Sequence, residues 1–431
     1  MQQFVKQILY RLQTINRKIA LWFLIINQYC NGDKKMITKQ IIERIFSAAN
    51  ILRWNDHIRP FNFFEIDKQA HKMIIAYIIA KFDEEENKKI NWINLIEGAI
   101  FEFFHRTMLT DLKPEVYHEI MSKKKKELNK WVLENLNDDI SQLGREFTKR
   151  FECYLFDDDY SKYEKRILAA SHEFSTRWEF GIIYPWNQVL YGIDATKETV
   201  DACISKYQDF VGVKKLIMNK KYYGFLDLCG QLRFQQRWAQ SFRQPKTTVL
   251  GHMFIVAIFV YLFSLDMNVC EKRAYNNFFS SLFHDLPEIL TKDIVSPVKF
   301  SVEGLEDIIK EFERKQVENR ILPLLPPTWH FEMKYFIENE FANRIVENGE
   351  IKFIDSVEEK YNKDEFCAAD GKLVEVCDKL SAYIEASLAL RYGIHSDMLN
   401  KSKTKLYNKY ANMKIANLTF KNVFDYFKLE N

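Results

Sequence analysis

The chain is poor in residues that form tight turns, and its apolar residues recur at the spacing of a helix. Thirteen glycines and nine prolines among 431 residues leave little material for β-hairpins. Between Lys372 and Arg391, for example, Leu373, Leu380 and Ile384 fall on one helical face. Apolar residues at three- and four-residue intervals are typical of amphipathic helices, so the sequence predicts an all-α fold.

The length and a faint internal repeat both indicate two units. A chain of 431 residues exceeds what one hydrophobic core usually organises. The two halves contain similar words in the same order: His71, Phe104–Pro114 and His172–Phe180 in the first, and His252, Phe283–Pro297 and Asp378–Ala386 in the second. In the first half, His71, His105 and His172 are separated by 34 and 67 residues. In the second half, His252, His284 and Asp378 are separated by 32 and 94 residues. We therefore predict two packed helical domains, residues 1–205 and 206–431, related by internal duplication.

Charge and cysteine usage argue against several classes of protein. The 62 Lys and Arg residues nearly balance the 59 Asp and Glu residues, and a formal charge of +3 gives no strong field for nucleic acid. The run Lys123–Lys126 precedes Glu127 on a helical stretch, and we interpret it as a solvated face rather than a nucleic-acid site. Seven scattered cysteines without a CxxC pair fit reduced thiols, which predicts a cytoplasmic protein.

Two apolar stretches bear on membrane association. The run Ala20–Ile26 has only seven residues and no cleavage site of small residues, so it predicts an amphipathic helix rather than a signal peptide or a membrane span. The uncharged stretch Val249–Leu265 has seventeen residues and contains a histidine, which favours a buried core helix. We therefore expect no membrane partner.

Two histidines and two aspartates stand in surroundings where polar groups are costly to bury. His284 and Asp285 follow an apolar, aromatic stretch, His252 lies in another such stretch, and Asp378 borders the apolar face of a third helix. Burial of these groups is unfavourable unless they pair or bind an ion. We predict that these four residues, called the ligand set below, hold one divalent metal ion.

The chemistry of the ligand set narrows the choice of ion and reaction. Imidazole and carboxylate ligands without a thiolate favour Mn, Co, Fe or Ni over Zn or Mg. Such an ion lowers the pKa of bound water toward roughly 7 and polarises a phosphoryl oxygen, which predicts hydrolysis of a phosphate ester. The spare histidines His330 and His395 are expected at the surface or in hydrogen bonds.

Four further residues are candidates for proton transfer and substrate binding. Glu288 is three residues beyond the ligand set's His-Asp pair and is placed to relay a proton, although an exposed carboxylate at a helix start is the alternative. Arg237 is suited to hold a phosphate and Trp238 to stack on a sugar or base, with core packing the alternative for the tryptophan. Lys299 is a weaker phosphate candidate, because solvated lysines are commoner.

The ligand set resembles the H…HD…D signature of the HD-domain phosphohydrolase superfamily. Arg237–Trp238, fifteen and fourteen residues before His252, and the word HDLPEILTKDIVSPVK are similar to the bacterial 5′-deoxynucleotidase branch, and the resemblance covers about residues 221–392. It implies that Glu288 assists the attacking water, that Arg237–Trp238 hold and select the substrate, and that Asp293 lies by the phosphate. The chain is twice as long as that branch and has an extended gap before Asp378, which leaves the substrate open.

The amino-terminal half departs from this signature. Opposite the carboxylate of the His-Asp pair it has Arg106, and a cation repels a metal ion rather than binding it. Opposite the last aspartate it has His172. We predict a degenerate HD-type copy that binds no catalytic ion and serves as a structural partner, while His71, His105 and His172 remain available to surround an anion through Arg106.

These observations predict a metal-dependent phosphohydrolase. The preferred partner is a small phosphorylated nucleotide, with phosphate released from a nucleoside 5′-monophosphate. The alternatives are an HD hydrolase of a cyclic, di- or triphosphorylated nucleotide, and a nucleotide-sensing protein without turnover. Whether the chain forms a homo-oligomer stays open.

Overall fold

The computed structural model describes residues 37–110, 112–292 and 302–428. Helices dominate these residues, and the predicted all-α fold is confirmed. The helix predicted at the amino terminus lies outside the described residues. The α-helices are α1 Lys39–Ser47, α2 Glu65–Glu85, α3 Trp92–Leu109, α4 Pro114–Ile140, α5 Arg145–Phe156, α6 Lys162–Asn187, α7 Ile193–Ser205, α8 Val211–Met218, α9 Lys220–Gln231, α10 Val249–Asp266, α11 Glu271–Phe283, α12 Glu288–Thr291, α13 Leu305–Gln316, α14 His330–Ile337, α15 Gly371–Arg391, α16 Asp397–Tyr410 and α17 Lys421–Asp425.

Helix α10 lies at the centre of the fold. Every residue from Val249 to Ser264 is buried, and the helix packs against α2, α11 and α15. It begins where the Thr248 hydroxyl accepts a hydrogen bond from the amide of Gly251 at 3.0 Å, which satisfies one of the unpaired amides of the first turn. It is long and apolar enough to cross a membrane, but 89% of it is buried by protein, as expected of a core helix.

Both predicted domains contribute to one hydrophobic core. The ring of Phe103 in α3 lies 5.7 Å from that of Phe254 in α10, and the ring of Tyr77 in α2 lies 5.4 Å from that of Phe283 in α11. These contacts belong to a continuous cluster of buried side chains that extends through both halves of the described chain. The boundary near residue 205 stays a prediction.

Short antiparallel strands join some of the helices. They pair β1 Leu52–Arg53 with β2 Phe63–Phe64, β3 Arg344–Glu347 with β4 Glu350–Phe353, and β5 Lys414–Ile415 with β6 Leu418–Thr419. The turn between β3 and β4 is Asn348–Gly349, with φ values of 54° and 80°, which is the backbone that an Asn-Gly hairpin requires. Asn-Gly is a sequence signal for a hairpin, and the prediction from helical periodicity did not include this hairpin.

Candidate metal centre

Three helices bring the two histidines of the ligand set together with Asp378. His252 lies in the first turn of α10, His284 directly follows α11, and Asp378 lies in α15. All three side chains are buried, and one potential ligand atom from each lies within 4.8 Å of the others. The packing of α10 against α11 and α15 therefore positions two imidazoles and a carboxylate around one point.

The fourth member of the ligand set lies beside the same point. The Oδ2 atom of Asp285 is 3.2 Å from Nε2 of His284 and 3.9 Å from Nε2 of His252. The structure thus brings together all four residues that the sequence singled out. Their role as metal ligands stays a prediction.

The tautomer of His284 indicates what these residues are built to bind. Its Nδ1 lies 2.7 Å from the carbonyl oxygen of Ser281, and a carbonyl only accepts, so Nδ1–H is the donor. The other ring nitrogen, Nε2, is buried and makes no hydrogen bond to the described residues, although the Asp285 carboxylate is close. Burial would lower the pKa of His284, but the Asp285 carboxylate raises it, so a proton on Nε2 pairs the two groups when no metal is bound. A divalent ion replaces that proton on binding, so the ligand set fits such an ion.

Charge interactions within the ligand set favour ionised carboxylates. Burial alone would raise the pKa of Asp285, but the neighbouring His284, His252 and Arg237 hold it well below its usual range. Burial would likewise raise the pKa of Asp378, but Lys379 and His252 lower it well below the usual range. Ionised carboxylates are the form that binds metal.

Hydrogen bonds fix the orientation of His252 and Asp378. Nε2 of His252 lies 3.0 Å from Oδ1 of Asp378, and its Nδ1 lies 3.2 Å from the hydroxyl of Ser381 one turn further along α15. Lys379 Nζ donates to the second carboxylate oxygen of Asp378 at 2.6 Å. Such outer contacts hold ligands in a fixed geometry.

Arg237 lies at the edge of the ligand set. Its guanidinium nitrogens are 3.5 Å from Oδ2 of Asp285 and 3.8 Å from Oδ1 of Asp378. Its neighbour Trp238 is half-buried and has a φ of 58°, a left-handed backbone that is unfavourable for a bulky side chain. Surrounding contacts must hold this conformation, as is common at binding sites.

Glu385 supplies those contacts, and the sequence analysis did not predict its role. This fully buried carboxylate accepts hydrogen bonds from Trp238 Nε1 at 2.7 Å and from the Thr247 hydroxyl at 2.6 Å. It also lies 3.6 Å from Arg237 Nε and 4.0 Å from a guanidinium nitrogen of Arg243. Burial would raise the pKa of Glu385, but the two arginines lower it to about 2.

A sequence signal for Glu385 did exist. It lies seven residues, about two helical turns, beyond Asp378, so both carboxylates lie on the same side of α15. Its four partners, however, lie more than 130 residues away along the chain. Helical periodicity does not identify partners at that distance.

Glu288 lies at the start of α12, one turn from the ligand set. Its amide donates to the carbonyl oxygen of Asp285 at 3.0 Å, and its side chain is only 8% exposed. The exposed carboxylate considered as an alternative is therefore wrong. Gln235 Nε2 donates to the carbonyl oxygen of Glu288 at 3.1 Å, which joins α12 to the segment before Arg237.

The remaining predicted site residues divide into two groups. Asp293 and Lys299 lie outside the described residues. His330 Nε2 lies 3.4 Å from the carbonyl oxygen of Leu325, and His395 is exposed, which agrees with the predicted hydrogen-bonded or surface positions.

The region of the amino-terminal half that the repeat predicts to be equivalent contains cations. The guanidinium of Arg106 lies 3.6 Å from a carboxylate oxygen of Glu65, and His172 lies beside the ammonium group of Lys68. His71 is buried, with Nε2 at 2.9 Å from the carbonyl oxygen of Leu226. These contacts differ from those of the ligand set, and the absence of a catalytic ion from this half stays a prediction.

Comparisons with known proteins concern mainly the carboxy-terminal part of the chain. Residues 229–406 match the family model described as HD domain. A 4′-phosphooxetanocin A phosphatase from Priestia megaterium is 28% identical over 145 residues, which cover 33% of this chain and 69% of that protein. A solved HD-domain phosphohydrolase from Listeria innocua is 18% identical with a TM-score of 0.32, and the match covers 43% of this chain and 77% of that chain. Residues 229–406 of this chain are therefore assigned to the HD-domain family.

Proposed function

We propose that the chain is a metal-dependent enzyme that releases phosphate from a nucleoside 5′-monophosphate. The observation that carries this proposal is the buried ligand set, in which two imidazoles and two carboxylates surround one point and Nε2 of His284 faces the Asp285 carboxylate at 3.2 Å. Two imidazoles and two carboxylates suit Mn, Co, Fe or Ni. When bound, such an ion supplies an acidified water and neutralises charge on a phosphoryl oxygen.

Two side chains of the chain bind the phosphate and transfer the proton. Arg237 neutralises and orients the phosphate next to the ligand set, since its planar guanidinium binds two phosphate oxygens at once. Glu288 accepts the proton that the attacking water loses, and delivers it to the departing sugar oxygen. The buried position of Glu288, three residues beyond Asp285, supports this role, because catalytic carboxylates are commonly buried next to the reacting groups.

Trp238 supports a nucleoside as the group that carries the phosphate. Its indole N–H donates to Glu385, so the ring is held in one orientation beside Arg237. A fixed indole offers a flat face to a sugar or base. The relative from Priestia megaterium bears the name of a phosphatase of a phosphorylated compound, which supports a phosphomonoester as the substrate class.

A screen for phosphate release tests this function. Nucleoside mono-, di-, tri- and cyclic phosphates are each incubated with the full chain and Mn, Co, Mg or Zn. We expect nucleoside 5′-monophosphates to give the highest kcat/KM, and Mn or Co to exceed Mg. Asp285→Asn serves as the inactive control, and Asp307→Asn, an exposed aspartate on α13, as the matched active control. Preference for a triphosphate or a cyclic nucleotide would contradict the substrate, and no turnover with any ion would contradict the enzyme.

A further inference from the structure

In the amino-terminal half, a tryptophan, an arginine and a glutamate repeat an arrangement that lies beside the candidate metal centre, and we call this arrangement the frame. Trp54 Nε1 donates to Glu179 at 2.8 Å, as Trp238 Nε1 donates to Glu385 at 2.7 Å. Both tryptophans have left-handed backbones, with φ values of 54° and 58°. The arginine before each tryptophan also contacts the same glutamate, with Nε to carboxylate distances of 3.0 Å and 3.6 Å. The two frames therefore define an equivalent interior position in each half.

The groups at that point have opposite charge in the two halves. Glu179 lies seven residues after His172, and Glu385 lies seven residues after Asp378, so His172 occupies the position of Asp378. His172 thus replaces a carboxylate, and Arg106 replaces the other carboxylate. The amino-terminal half adds the ammonium group of Lys68, which lies 2.8 Å and 2.9 Å from the two ring nitrogens of His172.

Lys68 lacks a negative partner. Its side chain is fully buried, and it forms no ion pair with a carboxylate anywhere in the described chain. A neutral imidazole has only one lone pair, so His172 accepts at most one hydrogen bond from the ammonium group. Buried ammonium groups are normally paired, because desolvation without a counter-charge is very unfavourable. Burial and the nearby Arg53 accordingly lower the pKa of Lys68 well below its usual range, and an anion bound beside it would favour the charged form.

The nearby carboxylates are already engaged by other cations. Glu65 lies 2.9 Å from Arg53, and Glu179 lies 3.0 Å from Arg53 and 2.8 Å from Arg233. Lys72 is paired with Glu102. Lys68 therefore has no carboxylate of its own among the described residues.

Several cations surround His172. Burial lowers the pKa of His172 well below its usual range, and the nearby cations Lys68, Lys72, Arg53 and Arg106 lower it further. Solvent also reaches the edge of the cluster, since the side chain of Arg106 is 18% exposed and that of Glu102 on the same helix is 32% exposed. The Arg106 side of the cluster is therefore in contact with solvent.

We propose that the amino-terminal half binds a phosphate group between Lys68, Arg106 and His172, at the position equivalent to the metal ion of the other half. The guanidinium and the ammonium supply charge-assisted donors to the phosphate oxygens, and the His172 ring supplies a third donor. The ligand is inorganic phosphate or the phosphate of a nucleoside 5′-monophosphate. Bound there, it acts as a ligand of the protein and not as a substrate, because this half lacks the carboxylates of the ligand set.

Calorimetric titration of the full chain with inorganic phosphate tests the proposal. We expect Lys68→Met to remove one phosphate per chain, or to weaken that binding roughly tenfold or more. Lys123→Met is the matched control, since Lys123 lies on the exposed face of α4 and its side chain is 70% exposed. It should bind phosphate as the wild type does. Because the binding lost in Lys68→Met is counted separately from turnover, failure of the nucleotidase assignment would leave this result interpretable.

A second variant guards against misfolding. Arg106→Gln alters a partly exposed side chain and should cause the same loss if Lys68→Met does not fold. Repeating the titration with a nucleoside 5′-monophosphate identifies the source of the phosphate, because the tighter of the two ligands at the Lys68-dependent site is the natural one. Phosphate binding that is unchanged in both variants, or absent from the wild type at millimolar phosphate, would overturn the proposal.

Discussion

The role of Glu385 gives a prediction whose size follows from the structure. Glu385→Gln keeps the side-chain shape but removes the negative charge beside Arg237 and Arg243. The ordinary pKa of 4.5 falls to about 2 in the fold. This difference corresponds to about 3 kcal/mol of folding free energy, similar to the cost of breaking a buried ion pair. We therefore expect Glu385→Gln to lower the free energy of unfolding by about 3 kcal/mol and to remain folded at 25 °C.

The pH dependence of that loss has a defined sign. A depressed carboxylate pKa stabilises the fold above the unfolded pKa of about 4.5, and this stabilisation disappears as the pH falls toward 2. The difference in free energy of unfolding between wild type and Glu385→Gln should thus be constant near neutral pH and shrink below pH 4.5. Urea denaturation at several pH values measures it.

The kinetic effect separates positioning from stability. Without the Glu385 charge, Arg237 and Trp238 lose the contact that orients them, so we expect KM for a nucleoside 5′-monophosphate to rise roughly tenfold to a hundredfold while kcat and metal content change much less. Glu179→Gln is the matched control, because Glu179 makes the same contacts in the other half. It should lose similar stability with an unchanged KM. An equal rise of KM in both variants, or none in Glu385→Gln, would refute the positioning role.

Three further outcomes follow from the same geometry. Glu288→Gln should retain the metal ion and lower kcat at least a hundredfold, since only proton transfer is lost; metal loss by elemental analysis would make it a ligand. His284→Ala should abolish metal binding and phosphate release, whereas folded His105→Ala should retain both, and loss of a second ion in His105→Ala would reveal a working amino-terminal metal site. Gly212→Ala should lower the free energy of unfolding by about 2 kcal/mol or more, because a Cβ there would lie 2.6 Å from the backbone oxygen of Ile79; an unchanged melting temperature would contradict this.

The sequence predicted the parts of the fold that depend on local periodicity. The stretch from Lys372 to Arg391 forms α15, and the uncharged stretch from Val249 to Leu265 forms α10. The sequence analysis identified the ligand set because its members are polar residues beside apolar helical faces, and the structure brings them together. Such a signal is local, so it can be recognised without knowledge of how the helices pack.

Other features depend on contacts between distant segments. The partners of Glu385 lie far away along the chain, and Lys68 in α2 looks like an ordinary helical lysine until the packing of α6 places His172 against it. The short hairpin of β3 and β4 was missed for a different reason, because its Asn-Gly turn interrupts an otherwise helical pattern. Periodicity identifies faces, but it does not identify which faces meet.

Metal content and phosphate release, measured on the same preparations of wild type and Asp285→Asn, test the central claim most directly. After reconstitution with Mn, the wild type should contain one ion per chain and release phosphate from a nucleoside 5′-monophosphate. Asp285→Asn should lose most of the metal and nearly all activity, because the amide keeps the shape but not the charge that offsets the cation. Full turnover by metal-replete Asp285→Asn, or a reconstituted wild type that stays free of metal, would contradict the account.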